Sequence, residues 1–259
     1  AAPLKELLDD GACVIGAHLH PWVNPPYDET ISRRNSFGCN LPPALERSKI
    51  LSLVRAIEDG LGLTPGVYKA GRYGLGPSTI EILQDLEFEI DVSINPHMDF
   101  TAGEGPSFKG FDAAPFWFGR RQRLLEIPCT GGYVGFAWRS GAWLRPLVEA
   151  QPFQALRLPG VLARTGILDR VLLSPEGNSL QDMKALTMSL LARGIRVFAM
   201  TLHSPSAEPG HTPYVRSQRQ LQDLLERMEG YCEFFLGDIG GVAGTLEDVR
   251  ASLAGVTRT

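Results

Sequence analysis

Apolar positions along this chain fall into two rhythms: short unbroken runs, and longer stretches in which they recur every three or four residues. The first kind reads as buried strand and the second as amphipathic helix. A strand is predicted from about Ala12 through Val14 and Ile15, after the turn signal Asp9-Asp10-Gly11. GVYKAG (66–71), FEIDVSI (88–94), LLEIP (124–128), VLLSPEG (171–177), IRVFAMTLH (195–203) and CEFFL (232–236) are further strands, IRVFAMTLH the most apolar. Helical spacing appears in the opening AAPLKELLDDG. It returns after Pro42-Pro43, where Leu45, Ile50, Leu51, Leu53, Val54 and Ile57 form a stripe ended at Gly60. A helix capped near Ser78 carries Ile80, Ile82, Leu83 and Leu86. Ser179 starts one through Met183, Leu186, Leu190 and Leu191 that Gly194 ends. Another spans 215–229, and Thr245 caps the last, with Glu and Asp in its first turn. Residues 24–42 and 95–120 read as loops, the second set with aromatic residues, and 141–168 as helical or irregular.

Strand, loop and helix alternate about six times without sequence repeat or polar linker. This predicts parallel βα units in one α/β domain over 1–259. The pattern leaves barrel and doubly wound sheet open. No G-x-G-x-x-G follows a strand, which argues against a dinucleotide. If the strands close into a barrel, residues just beyond their C-terminal ends share one mouth. That rule would gather His18, His20, Arg72, Asp91 or Asp99, and His203.

Composition narrows the class. Of 259 residues 44% are hydrophobic and 21% charged, as in ordinary globular proteins. A net charge of -4 gives no footprint for nucleic acid. No run approaches the roughly 20 apolar residues of a membrane span. Cys13, Cys39, Cys129 and Cys232 are scattered, with neither a disulfide framework nor zinc-cluster spacing, which favours a reducing compartment. The opening residues lack the basic head and apolar core of a signal peptide, so a cytoplasmic location is expected.

The stretch VIGAHLHPWVNPP (14–26) concentrates the chemistry. In extended backbone His18 and His20 point to one face, and two imidazoles there can ligate one divalent metal, with zinc a good match. They can equally be hydrogen-bonded loop histidines. Trp22, Pro25 and Pro26 offer a stiff, partly aromatic wall. Arg72 in AGRYG is either a surface cation or a partner for a carboxylate. Asp91 interrupts an apolar strand, and Asp99 follows beside Phe100. His203 ends the most apolar strand, whereas His97 and His211 sit in loops beside prolines and read as solvated. Two metal histidines, a third as acid and an arginine–carboxylate pair form a kit for metal-assisted hydrolysis.

These strings resemble the polysaccharide deacetylases of the NodB-homology type, in particular the WalW-like group. IGAHLHPWVNPP is similar to that group's histidine motif, AGRYG to its arginine motif, and LHSPS with GHTPYVR to its final histidine motif; LSPEG (173–177) and NSFGCNLP (35–42) also match. The resemblance covers nearly the whole chain. It implies a distorted (β/α) barrel with a zinc-like metal at its mouth, held by His18 and His20. His203 would be the general acid, Arg72 the residue orienting the catalytic carboxylate, and Asp99-Phe100 the acidic-aromatic motif supporting the histidine. Trp22, Tyr73 and Asn24 would face a carbohydrate substrate. The family spaces its paired histidines four apart rather than two, so Trp22 or Asn24 can fall where the second is expected. Its first motif, an acidic strand supplying the base and a metal ligand, would lie upstream of Ala1, leaving the barrel without its first strand here. The implied activity is removal of N-acetyl groups from a sugar or polysaccharide. The alternatives are a non-catalytic carbohydrate-binding relative and a metal-dependent hydrolase of another amide or ester.

Overall fold

The computed structural model describes residues 2–141, 143–144 and 158–256. The chain divides into two compact units, Ala1–Pro128 with Gly244–Thr259, and Cys129–Ala243.

In the first unit a short helix, α1 (Ala2–Asp9), precedes β1 (Ala17–Leu19), α2 (Pro43–Leu61), β2 (Val67–Ala70), α3 (Pro77–Asp85), β3 (Ile90–Asp91), β4 (Phe116–Phe118) and β5 (Leu124–Glu126). The strands lie in the order β1-β2-β3-β5-β4. All neighbours are parallel except β4, which runs antiparallel to β5. Pro43 opens α2 where its missing N–H costs nothing, and Gly62, at φ 78°, closes it two residues beyond the expected Gly60. α3 is capped from Gly76, whose N–H donates to Thr79 Oγ1 at 3.2 Å, rather than from Ser78.

Parallel register carries Ala17, Tyr68, Asp91 and Glu126 side by side across one face of this sheet. Leu19, Tyr68, Ala70 and Leu124 pack there with Ile50 of α2 and Ile82 and Leu83 of α3. His18, whose register partner is Lys69, points to the other face. β1 shows this directly: Ala17 and Leu19 are buried and His18 is exposed.

In the second unit β6 (Gly131–Val134) pairs antiparallel with β7 (Asp169–Leu172). Among the described residues the helices α4 (Leu158–Arg164), α5 (Leu180–Leu191) and α6 (Gln218–Glu233) accompany them. Ser179 caps α5 as predicted, accepting from Asp182 N while Asp182 accepts from the Ser179 N–H. The chain then returns to the first unit as α7 (Leu246–Val256), which Thr245 and Asp248 cap in the same reciprocal way.

The architecture is mixed α/β with a parallel-stranded sheet, and three expectations change. Among the described residues four strands are parallel rather than about six, and β7 belongs to an antiparallel ribbon. IRVFAMTLH joins neither sheet as a strand. Its Thr201 N–H reaches Leu173 O at 3.0 Å, and its Ala199 N–H is taken by the Thr130 hydroxyl at 2.8 Å. CEFFL is not a strand at all: α6 continues to Glu233 and Phe234–Asp238 adds a wider helical turn. Tyr231 and Phe234 are buried there, so the apolar run serves a helix face. Half of the stretch 141–168 lies outside the described residues. Among those described, no helix is long and apolar enough to cross a membrane.

Candidate functional site

β1 delivers His18 and His20 to one side, as its pleat requires. Their Nε2 atoms stand 3.0 Å apart and the rings meet edge to face at 4.6 Å. His18 Nδ1 lies 3.0 Å from the backbone oxygen of Lys69. A carbonyl there accepts only from an Nδ1–H, which leaves Nε2 of His18 with its lone pair. Metal-binding histidines are commonly fixed in this manner. His20 is held between the Trp22 ring, 4.8 Å away, and Gly71. A Cβ at Gly71 would stand 2.7 Å from His20 Nδ1, so the glycine of AGRYG is the floor of the histidine motif.

The loop after His20 is organised by a buried cation. Lys49 of α2 is wholly buried, and its ammonium donates to the carbonyls of Pro21 (2.9 Å), Asn24 (2.7 Å) and Pro26 (2.5 Å). Glu29, 2.9 Å away, supplies the countercharge. Asn24 returns the favour, donating from its amide to the oxygens of Lys49 (2.7 Å) and Pro25 (3.1 Å). Asn24 therefore ties the loop to α2. Trp22 is 38% exposed and remains open to a ligand.

At the end of β2, Arg72 and Tyr73 both take the left-handed conformation, with φ 53° and 60°. Arg72 Nη1 donates to the Ser36 hydroxyl at 2.5 Å, and its guanidinium lies 4.5 Å from the Phe37 ring centre. Tyr73 stacks on Phe100 at 5.4 Å. The loop 35–42 interlocks with this turn: the Cys39 N–H donates to Gly74 O at 3.1 Å, and a Cβ at Gly76 would strike Cys39. Burial, with Glu46 beside it, pushes the Cys39 thiol up to about 11, which makes it a packing residue at neutral pH. Three separate motifs, NSFGCNLP, AGRYG and Asp99-Phe100, thus form one contact network. The carboxylate expected against Arg72 is not among its contacts with described residues.

Asp99 also departs from expectation. Its carboxylate meets Lys109 Nζ at 2.6 Å and the Thr101 N–H at 3.2 Å, and the Lys109 hydrogen bond above all holds it down to about 2. It is an anion engaged by a lysine. Asp91 is fully buried, and by register it points to the sheet face opposite His18. Glu126 lies next to it across β3 and β5; Asp91 accepts from the Ser93 hydroxyl at 2.6 Å and Glu126 from the Ile94 N–H at 3.0 Å. Burial pushes Asp91 above the usual carboxylate range, so this pair is a feature of the interior.

In the second unit, the segment after α5 ends at His203. Its Nδ1 lies 2.7 Å from Glu176 Oε2, while Glu176 Oε1 accepts from the His203 N–H at 3.1 Å and from the Ser206 hydroxyl. The Glu176 side chain is 4% exposed and that of His203 67%. Tyr214 stacks on the imidazole at 6.1 Å. A buried carboxylate holding Nδ1–H turns Nε2 outward, the arrangement a proton-transferring histidine uses. Sequence reading passed over Glu176, although LSPEG carries the signal: one acid, at the exit of an apolar run, between a proline and a glycine. Lys49 was missed because its helix reads as amphipathic with or without it.

No family model matches the chain, and no curated protein sequence matches it. The chain is similar to a solved structure from Mycobacterium smegmatis described provisionally as a polysaccharide deacetylase. Identity is 18%, the TM-score is 0.33, and the match covers 49% of this chain and 35% of that one.

Proposed function

We propose that the chain is a metal-dependent hydrolase that removes N-acetyl groups from a sugar or polysaccharide. The observation that carries this reading is the Glu176–His203 pair, an exposed imidazole aligned by a buried carboxylate. His203 acts as general acid: its protonated Nε2 gives a proton to the departing amine while Glu176 steadies the imidazolium. His18 and His20 support the metal part of the reading, because two imidazole nitrogens converge and one has its tautomer set by a backbone carbonyl. They would hold a zinc-like ion, which when bound polarises the scissile carbonyl and acidifies a water. Among the described residues no group of three His, Cys, Asp or Glu side chains forms a metal site. Arg72 and Trp22 would contact the carbohydrate.

The test is acetate release from N-acetylglucosamine oligomers by zinc-loaded protein, with metal content measured in parallel. The expected outcome is turnover by the parent and a loss of about a hundredfold or more in His203→Ala at unchanged zinc content. No zinc above background and no acetate release would instead favour a non-catalytic carbohydrate-binding protein.

A further inference from the structure

A cavity of about 300 Å³ opens beside the Trp22 indole, lined among others by Glu29, Ile31, Asn35, Ser36 and Arg72. It is at the small-ligand end of the range for binding pockets. Its charge is unbalanced. A guanidinium has five N–H donors, and among the described residues Arg72 spends one, on the Ser36 hydroxyl. The only acid lining the cavity, Glu29, is already paired with Lys49, the two side chains being 5% and 0% exposed. The guanidinium is also held in place. Phe37 packs against its flat face, and the left-handed backbone at Arg72 and Tyr73 is pinned by the stacking of Tyr73 on Phe100. Two successive non-glycine residues in that region are uncommon and persist where their surroundings over-determine them.

The remaining wall suits a ring with an apolar face. Trp22 is 38% and Ile31 82% exposed. Asn35 spends its amide N–H on Thr30 O, so its Oδ1 faces no donor among the described residues and can accept from a hydroxyl.

We infer that this cavity is a subsite for a carboxylate-bearing sugar, a uronate, whose carboxylate meets the Arg72 fork while its ring lies on Trp22. Arginine's planar donors match a carboxylate two-pronged. The inference names a substrate class for the hydrolase reading and rests on that reading only for what happens after binding.

Calorimetric titration of the full chain with a glucuronate-terminated disaccharide and its glucose-terminated counterpart tests it. The acid should bind at least tenfold tighter at low salt. Arg72→Asn, a residue that tolerates left-handed backbone, should abolish the preference, Arg72→Lys should reduce it, and Trp22→Ala should weaken both ligands. Circular dichroism checks that the variants are folded. Equal affinity of the two sugars, a preference that survives Arg72→Asn, or tighter binding of a sulfated disaccharide than of the uronate each overturns the inference. The two proposals fail separately. Acetate release at equal kcat/KM from neutral and acidic acetylated sugars sinks the subsite and leaves the hydrolase. Carboxylate-dependent binding without acetate release does the reverse.

Discussion

The ring of His20 occupies the space that a side chain at Gly71 would need: a Cβ there would stand 2.7 Å from Nδ1 and 2.8 Å from Cγ. The Leu19 backbone oxygen would be nearer still, and the ring is wedged against Trp22, so neither neighbour has much room to yield. Gly71→Ala should therefore destabilise the first unit by about 1–3 kcal/mol through overpacking. It should also rotate His20 away from His18 and weaken zinc binding, measured with a competing chelator. Unchanged zinc affinity in a destabilised variant would show that the histidine pair is not the metal site.

Glu176 and His203 act as a unit in the proposed reaction. Glu176→Gln sets an amide N–H against either the His203 backbone N–H or its Nδ1–H, and a mispaired buried group of this kind costs about 1–3 kcal/mol. The turnover losses from Glu176→Gln and His203→Ala should not add, because the second removes what the first positions. Additive losses in the double variant would separate the two residues and leave Glu176 a purely structural acid.

Acid sensitivity should have a contribution from Asp99 and Lys109. The Asp99 carboxyl is held down to about 2, below its unfolded value of about 3.9. The native state thus gains stability above pH 4 and loses it as pH falls through 2. Lysine and acid are partly exposed, so the effect is about 1 kcal/mol at most. Lys109→Met should lower stability at pH 6, and its effect should shrink as pH falls through 2, read from denaturant midpoints. A constant offset at both pH values would assign the loss to packing.

Asp91 has the opposite sign. Burial raises its pKa, so the native state keeps a proton that the unfolded chain has released, and stability declines as pH rises above about 4 toward the native value. Asp91→Asn resembles the protonated acid in shape. It should be more stable than the parent at pH 7, with the gap narrowing toward pH 4. Lower stability at every pH would mean that Ser93 and Glu126 require the carboxyl itself.

The sequence was most readable where one local rule decides the outcome. Ser179 and Thr245 cap their helices because a hydroxyl with an acid three residues on satisfies the first N–H groups. His18 and His20 share a side because extended backbone leaves them no alternative. It was least readable where a partner far along the chain decides. FFL could pair as a strand, but Tyr231 and Phe234 are buried as part of a helix. The antiparallel pairing of β7 depends on β6, whose GGYV carries little pattern. Asp99 and Glu176 are both acids near apolar residues, and only the positions of Lys109 and His203 distinguish an occupied anion from one that aligns an imidazole.

Lys49 gives the molecule a built-in clock. With its amine wholly buried under the carbonyls of Pro21, Asn24 and Pro26, an acylating reagent can reach it only during excursions that lift the Trp22 loop off α2. Exposed amines such as that of Lys5 in the same tube record the reagent's intrinsic speed. The ratio of the two labelling rates, followed by peptide mass, then reports how often the loop opens. A ligand lodged against Trp22 should slow the Lys49 rate and leave the others untouched.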